Sequence, residues 1–385
     1  MTAAVPAPAF GGGSLADVLP AVLVGLGVPG VPADSGAPGG LDLPVTSRVC
    51  IVLIDGLGWN ALRKHASAAP FLTSLLDSAG SRPITSVFPT TTPIALTSLG
   101  TGLSPGEHGI VGLLMRLPET GRVINTLALP SEVDLRLLQP RPTAFERAAA
   151  AGVAVTRIGP SSFEGAGLSE AGLRGGSYRG AETVGERVAA AASAVRRDER
   201  SLAYVYFGDL DATGHRHGCG SESWRQELVH VDRTVEQLAA ALPAGATLVV
   251  TSDHGMVDVA FDDRWDVAVI PALADGVDVV AGDLRGVHLH AQPGAAGDVL
   301  AAWRETLGNG FWVLGRDEAI AAGLYGPVVA DHVRPRIGDV VALARGAGAV
   351  VDTRTMPPGL LALVGLHGSV TEDELIVPLL ATAQR

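Results

Sequence analysis

The sequence predicts an α/β protein: a central, mostly parallel sheet wrapped by helices on both faces. Three observations carry this. Continuous apolar runs end in acidic or imidazole residues: "RVCIVLIDGLG" ends at Asp55, "SLAYVYFGDLDATGH" at Asp209 and Asp211, and "ATLVVTSDHGM" at Asp253 and His254. Strands buried on both faces of a parallel sheet read this way, without polar alternation. Helix-type periodicity lies among these runs, over residues 144–151, 182–197 and 223–242, and strands interleaved with helices are the pattern of a parallel sheet. Finally, 385 residues at 47% hydrophobic and 18% charged can bury one large core with a smaller cap.

In chain order, residues 1–45 are rich in Gly and Pro around one short helical pattern, Leu15 to Leu26. They are expected to form an N-terminal extension folded over the core. Residues 46–257 and 351–385 form the expected catalytic α/β core, with "GVAVTRIGPSSF" as a further strand before a Pro/Ser turn. Residues 258–350 read as an inserted or appended cap, with strands expected at "RWDVAVI", "GVHLHAQ" and "GDVVALARG".

Charge and cysteine content exclude several functions. The formal net charge is −12 and Lys64 is the sole lysine. A surface for polymeric nucleic acid would need clustered cations, so none is expected. Cys50 sits in an apolar run and Cys219 is far from it, which suits neither a disulfide framework nor a zinc knuckle. No apolar run is long enough to suggest a membrane span. No Lys or Arg precedes Arg48, whereas a secretory leader needs a basic start, so a cytoplasmic location is expected.

The stretch "FPTTTPIALTSLGTGL" places three hydroxyls before a proline. Pro93 favours the first turn of a helix and a threonine suits the cap, so Thr92 is expected to cap a helix, a role worth about 1 kcal/mol. The same position has chemical use. A helix N-terminus carries partial positive charge and free N–H groups, which favour an alkoxide and a phosphate oxygen. A threonine hydroxyl ionises only beside a metal or a base, so a nucleophilic Thr92 requires ligands elsewhere. They are available: Asp55, Asp211 and His215 in "DATGH", Asp253 and His254 in "SDHG", and His367 in "GLHGS". Polar groups just past parallel strands converge along one sheet edge. Together these residues supply oxygen and nitrogen donors for two divalent ions of the Zn or Mn type, without thiolate.

With these residues in place the chain resembles the alkaline phosphatase superfamily, and within it the nucleotide pyrophosphatase/phosphodiesterase branch, from about Val49 to Leu380. The motifs that carry the resemblance are "LIDGLG", "FPTTTP…TGLSPGEHGIVG", "DATGH", "TSDHGM" and "GLHGS". It implies a three-layer α/β/α sandwich and a metal-dependent phosphoric ester hydrolase, a phosphodiesterase or nucleotide pyrophosphatase acting on a small phosphate ester or nucleotide. It further implies Thr92 as a nucleophile that forms a phosphothreonine, with Asp55, Asp253, His254 and Thr92 on one zinc and Asp211, His215 and His367 on the other. A phosphomonoesterase, a phosphonate hydrolase or a non-catalytic metal-binding relative would share these residues. The sulfatase pattern is missing, since neither cysteine lies in a C/S-x-P-x-R run.

Relatives of this branch carry asparagine three residues after the nucleophile, where this chain has Ala95. The group that would hold the non-bridging oxygens is therefore open, and the Ile94 N–H is one candidate. Arg285 and His288 are candidates for substrate contact from the cap. His288 and His290 stand two apart in the expected strand, and at most one of them is expected to meet the site. His108, in the "GEHG" turn, reads as structural.

Overall fold

The computed structural model describes residues 4–30, 40–44 and 46–383; the parts of the expected N-terminal extension at 1–3, 31–39 and 45 lie outside the described residues. Among the described residues, seven strands form the main sheet in the order Arg82–Thr85, Ile376–Ala383, Thr247–Thr251, Arg48–Ile54, Ser201–Phe207, Ala154–Gly159, Ser177–Gly180. The five strands from Thr247–Thr251 to Ser177–Gly180 run parallel, and Ile376–Ala383 runs antiparallel to both its neighbours.

The Arg48–Ile54 strand shows why its sequence is continuously apolar. Val49, Ile51 and Leu53 point into one hydrophobic cluster, which includes Leu15, Leu19 and Leu96 from the helices on that face. Cys50, Val52 and Ile54 point into the opposite cluster, with Trp224, Leu228 and Val235. Side chains alternate along a strand, so a strand sandwiched between two helical layers needs apolar residues at every position. The result is the α/β/α sandwich. The helix Glu222–Ala241 covers one face through Trp224, Leu228, Val231, Val235 and Leu238. Their spacing of three and four makes a single stripe, each residue contributing about 1.5–3 kcal/mol on burial. On the other face, Leu15, Val18, Leu19, Val22 and Leu23 of the N-terminal region are fully buried, so this segment is part of the core packing.

A second, antiparallel sheet has the order Phe311–Gly315, Val340–Ala344, Gly286–Ala291, Val277–Gly282, Leu114–Arg116, Val123–Asn125. It draws its last two strands from residues 114–125 as well as on the 258–350 region. Its own core gathers Val287, Leu289, Val313 and Val340 around Trp303, which is fully buried. No described helix is long and apolar enough to cross a membrane.

Candidate metal centre and active site

The main sheet delivers its acidic residues as parallel strands should. Asp55 follows Arg48–Ile54, Asp253 follows Thr247–Thr251, and Asp211 lies in the first turn of the helix Asp209–His217 that follows Ser201–Phe207. Four residues further along that helix His215 lies on the same face, its Nε2 at 3.2 Å from Asp211 Oδ2. Gly56 has φ +75°, and a Cβ there would meet Asp211 at 3.0 Å. Only glycine accommodates both the left-handed turn and this close approach.

Two groups of ligand-bearing side chains result: Asp55, Asp253 and His254, and Asp211, His215 and His367, the donor atoms within each lying within 4.8 Å of one another. Thr92 stands beside the first. Its Oγ1 is 3.2 Å from His254 Nε2 and 3.5 Å from Asp55 Oδ2. His254 Nε2 lies 3.6 Å from Asp55 Oδ1 and 3.4 Å from Asp253 Oδ2. In the second group, His367 Nε2 is 3.3 Å from His215 Nε2 and 4.0 Å from Asp211 Oδ1. The His254 and His367 rings stack with centroids 3.8 Å apart, joining the two groups.

Backbone contacts orient all three imidazoles. Nδ1 of His254 lies 3.0 Å from Gly255 O, that of His215 2.7 Å from Gly365 O, and that of His367 2.9 Å from Thr90 O. A carbonyl accepts a proton from Nδ1, which leaves each Nε2 lone pair facing the centre, the arrangement metal-binding histidines use. The carboxylates tell the same story. Asp253 Oδ1 accepts from Gly56 N–H and His254 N–H, and Asp55 Oδ2 accepts from the Tyr206 hydroxyl. Yet Asp55 Oδ1, Asp211 Oδ1 and Asp253 Oδ2 are buried without a hydrogen-bond partner. Burial, and then the nearby Asp253 and Asp211 charges, raise the Asp55 pKa well above the usual carboxylate range. Burial followed by His254 and His215 pushes His367 well below 6.5. At His215 burial acts in the same lowering sense, but Asp211 outweighs it and lifts the pKa to about 8. Orphaned carboxylate oxygens converging with imidazole lone pairs leave a deficit of positive charge, which divalent cations would fill. The donor set suits Zn or Mn.

The threonine run divides its work. Thr90 Oγ1 donates to Ser369 O and accepts from Gly368 N–H, tying the turn to the His367 loop. Thr91 is the N-cap of the helix Thr92–Thr101, with φ −145° and ψ 146°. The expectation that Thr92 caps this helix is therefore corrected: Thr92 is the first helical residue and Pro93 the second. Pro93 loses nothing there, since the first N–H groups of a helix have no internal acceptor. Thr92 is thereby freed from capping and directs its hydroxyl at Asp55 and His254.

The three expected substrate contacts are not at the site in that role. Ile94 N–H donates to Thr91 O at 3.1 Å, because the opening turn of the helix closes on that carbonyl. Among the described residues the Thr92 N–H has no acceptor, so it is the free backbone donor at the helix start. Arg285 is fully buried and makes two 2.8 Å bonds to Glu374, with a third to Gly348 O. Glu374 in turn accepts from Ser369 N–H, so Arg285 holds the loop that carries His367. His288 is buried against the Tyr325 hydroxyl at 2.8 Å. His108 is also buried, between Ser98 Oγ and Ile110 N–H.

Two residues enter the site unannounced. Tyr206 reads in sequence as one strand residue among many, and its role depends on the register that sets it opposite Leu53, next to Asp55. Asp283 comes from the turn between Val277–Gly282 and Gly286–Ala291. It accepts from Leu284 N–H and the Thr91 hydroxyl, and its Oδ2 is buried unpaired. Burial raises its pKa to about 6 against the pull of those two donors. A Gly-rich stretch without a motif gives no sign of such a residue.

Two cavities flank Thr92. The larger, about 1030 Å³, is bordered by Asp211, His215, His367 and Asp283; the smaller, about 460 Å³, by Asp55, Tyr206, Tyr178 and Arg157. Thr92 and Asp211 belong to the walls of both.

Comparison with known proteins agrees with this architecture. The model of the type I phosphodiesterase / nucleotide pyrophosphatase family matches residues 49–370. Human ectonucleotide pyrophosphatase/phosphodiesterase family member 7 is 26% identical over 228 residues, 55% of this chain and 48% of the relative. The mouse protein of that name is 39% identical over 67 residues, 16% of this chain and 15% of its own length. The matches thus span less than half of these relatives. Human ectonucleotide pyrophosphatase / phosphodiesterase 5 shares the fold at TM-score 0.70 and 19% identity, over 87% of each chain. An inactive variant of the murine protein, in complex with AMP, does so at TM-score 0.68 and 19% identity, over 86% of this chain and 87% of its own. The match over residues 49–370, with the sandwich fold around it, places this chain in the type I phosphodiesterase / nucleotide pyrophosphatase family.

Proposed function

We propose that the protein is a metal-dependent phosphodiesterase or nucleotide pyrophosphatase that works through a covalent ester on Thr92. The observation that carries this reading is the position of Thr92 Oγ1, 3.2 Å from His254 Nε2 and 3.5 Å from Asp55 Oδ2 at the start of a ten-residue helix. Asp55, Asp253 and His254 with Thr92 would hold one cation, and Asp211, His215 and His367 the other. When bound, zinc or manganese would supply the Lewis-acid charge that acidifies a hydroxyl and neutralises departing oxygens.

The residues of the chain account for the rest. The Thr92 oxygen adds to phosphorus as the bond to the departing ester oxygen breaks, and water then cleaves the threonine ester in a second displacement. The Thr92 N–H, unpaired at the positive end of the helix, is placed to donate to a non-bridging oxygen. His254 and Asp55 orient the hydroxyl, and Tyr206 holds Asp55.

A diester carries two substituents, and two cavities meet at Thr92. This favours a diester or pyrophosphate over a monoester. The departing group would leave toward the larger cavity, which Asp211, His215 and His367 border, and the retained group would sit in the smaller. The AMP complex of the murine structural relative is consistent with a nucleotide-sized ligand. A hydrolysis panel tests the reading: bis(4-nitrophenyl) phosphate and a dinucleotide should be cleaved faster than 4-nitrophenyl phosphate. EDTA should abolish the activity and zinc or manganese restore it. A preference for the monoester would favour a phosphomonoesterase instead.

A further inference from the structure

The smaller cavity contains a guanidinium that the fold leaves under-coordinated. Arg157 lies on Ala154–Gly159 opposite Tyr204, so it emerges on the same sheet face as Tyr204 and Tyr206. It is two residues back from the rung that touches Asp55, roughly 7 Å along the strand. It is only 7% exposed, yet its contacts are long: Nη1 to Ser169 O at 3.5 Å and Nη2 to the Glu170 carboxylate at 3.8 Å. Its Nε is buried with no partner at all. Arg285, fully buried, is by contrast held by three contacts of 2.6–2.8 Å. Buried charges are normally paired and hydrogen-bonded, so the incomplete shell of Arg157 calls for a ligand.

The surroundings indicate what kind. The Tyr178 ring lies 5.6 Å from the Arg157 guanidinium, and the partly exposed Phe163 packs edge-on against Tyr206. Arg187 also borders the cavity, held by Ala181 O and loosely by Asp209 at 3.6 Å. The acidic neighbours Glu170 and Asp209 have side chains 40% and 64% exposed, so water weakens their hold on the two guanidinium groups.

Resting on the diesterase reading above, we propose that this cavity binds the group that stays on phosphorus and that Arg157 selects one ending in an anion, a carboxylate or a phosphate, on an aromatic body. The planar fork of arginine suits either oxyanion. Recognition is tested with the zinc-loaded protein and three 4-nitrophenyl diesters. Their second ester is a phenethyl group carrying a para carboxylate, a para phosphate or a neutral para carboxamide.

The expected result is that at least one anionic diester exceeds the carboxamide in kcat/KM by about tenfold or more, as a charge-assisted hydrogen bond allows. Which anion leads identifies the terminal group. In Arg157→Gln the ratio should fall to near one, and Arg157→Lys should keep part of it. Equal rates for the three diesters in the parent protein, or an undiminished ratio in Arg157→Gln, would overturn the proposal while leaving the diesterase reading intact. If no diester is cleaved, the diesterase reading fails. Calorimetric titration of zinc-loaded Thr92→Ala with the same compounds then decides the subsite: tighter binding of an anionic compound supports it, and equal binding overturns it.

Discussion

At the scale of single residues, three neighbouring threonines hold separate tasks. Thr90 ties two loops, Thr91 takes the N-cap position through its backbone while its hydroxyl faces Asp283, and Thr92 faces the ligand groups. Replacing Thr92 with alanine should lower turnover by on the order of 10⁴-fold while zinc content, measured by mass spectrometry of the metal, stays near that of the parent. Tyr206→Phe tests the neighbour of Asp55. It removes the hydroxyl donor but keeps the ring, so affinity for the cation at Asp55, Asp253 and His254 should fall by roughly tenfold or more, read by competition with a chromogenic chelator. Unchanged affinity would show that Tyr206 only packs. The ligand-bearing residues were legible because each follows an apolar run or sits in a short motif. Tyr206 and Asp283 were not, since neither local pattern nor composition marks them and both depend on pairings between distant strands.

At the scale of elements, the loop carrying His367 is held from the second sheet. Arg285 and Glu374 are both fully buried and bidentate. Removing one partner strands a charge, so Arg285→Met should destabilise the protein by about 3–5 kcal/mol in urea unfolding. The double variant Arg285→Met, Glu374→Leu should recover much of that loss, because an apolar pair of similar volume can replace a buried ion pair. Equal stability of Arg285→Met and the parent would refute the structural role. Arg285 was misread from sequence for a physical reason: an arginine just before a predicted strand of the expected cap has the charge to meet a phosphate, and only the tertiary pairing shows that charge already engaged. The core strands and the helices between them were readable, because a doubly buried strand leaves no polar position along its length. The assembly of the second sheet was not, since two of its strands come from residues 114–125, far from the rest in sequence.

At the scale of the whole molecule, buried neutral histidines make stability depend on pH. Burial, then nearby positive charge, pushes His108 and His288 down to about 3 and His290 down to about 4. Because the unfolded chain takes up these protons near pH 6.5 and the folded chain does not, stability is full above that value and is lost as the pH falls toward 4. Each histidine contributes about 1.4 kcal/mol per pH unit over that interval. In chelator-treated protein, His108→Gln should reduce the slope of unfolding free energy between pH 6 and 4 by about that amount. An identical slope would contradict the buried neutral state. Cation binding acts on the whole fold as well: a ligand at a hundredfold excess over its Kd adds about 2.7 kcal/mol, so zinc should raise the melting temperature and EDTA reverse it.

The central claim is that Thr92 is the nucleophile of a two-step displacement, and the stereochemical course at phosphorus tests it most directly. Hydrolysis of one diastereomer of a 4-nitrophenyl nucleoside phosphorothioate in isotopically labelled water should proceed with net retention, because two in-line displacements each invert the centre. Net inversion would mean that water attacks phosphorus directly and would contradict the account.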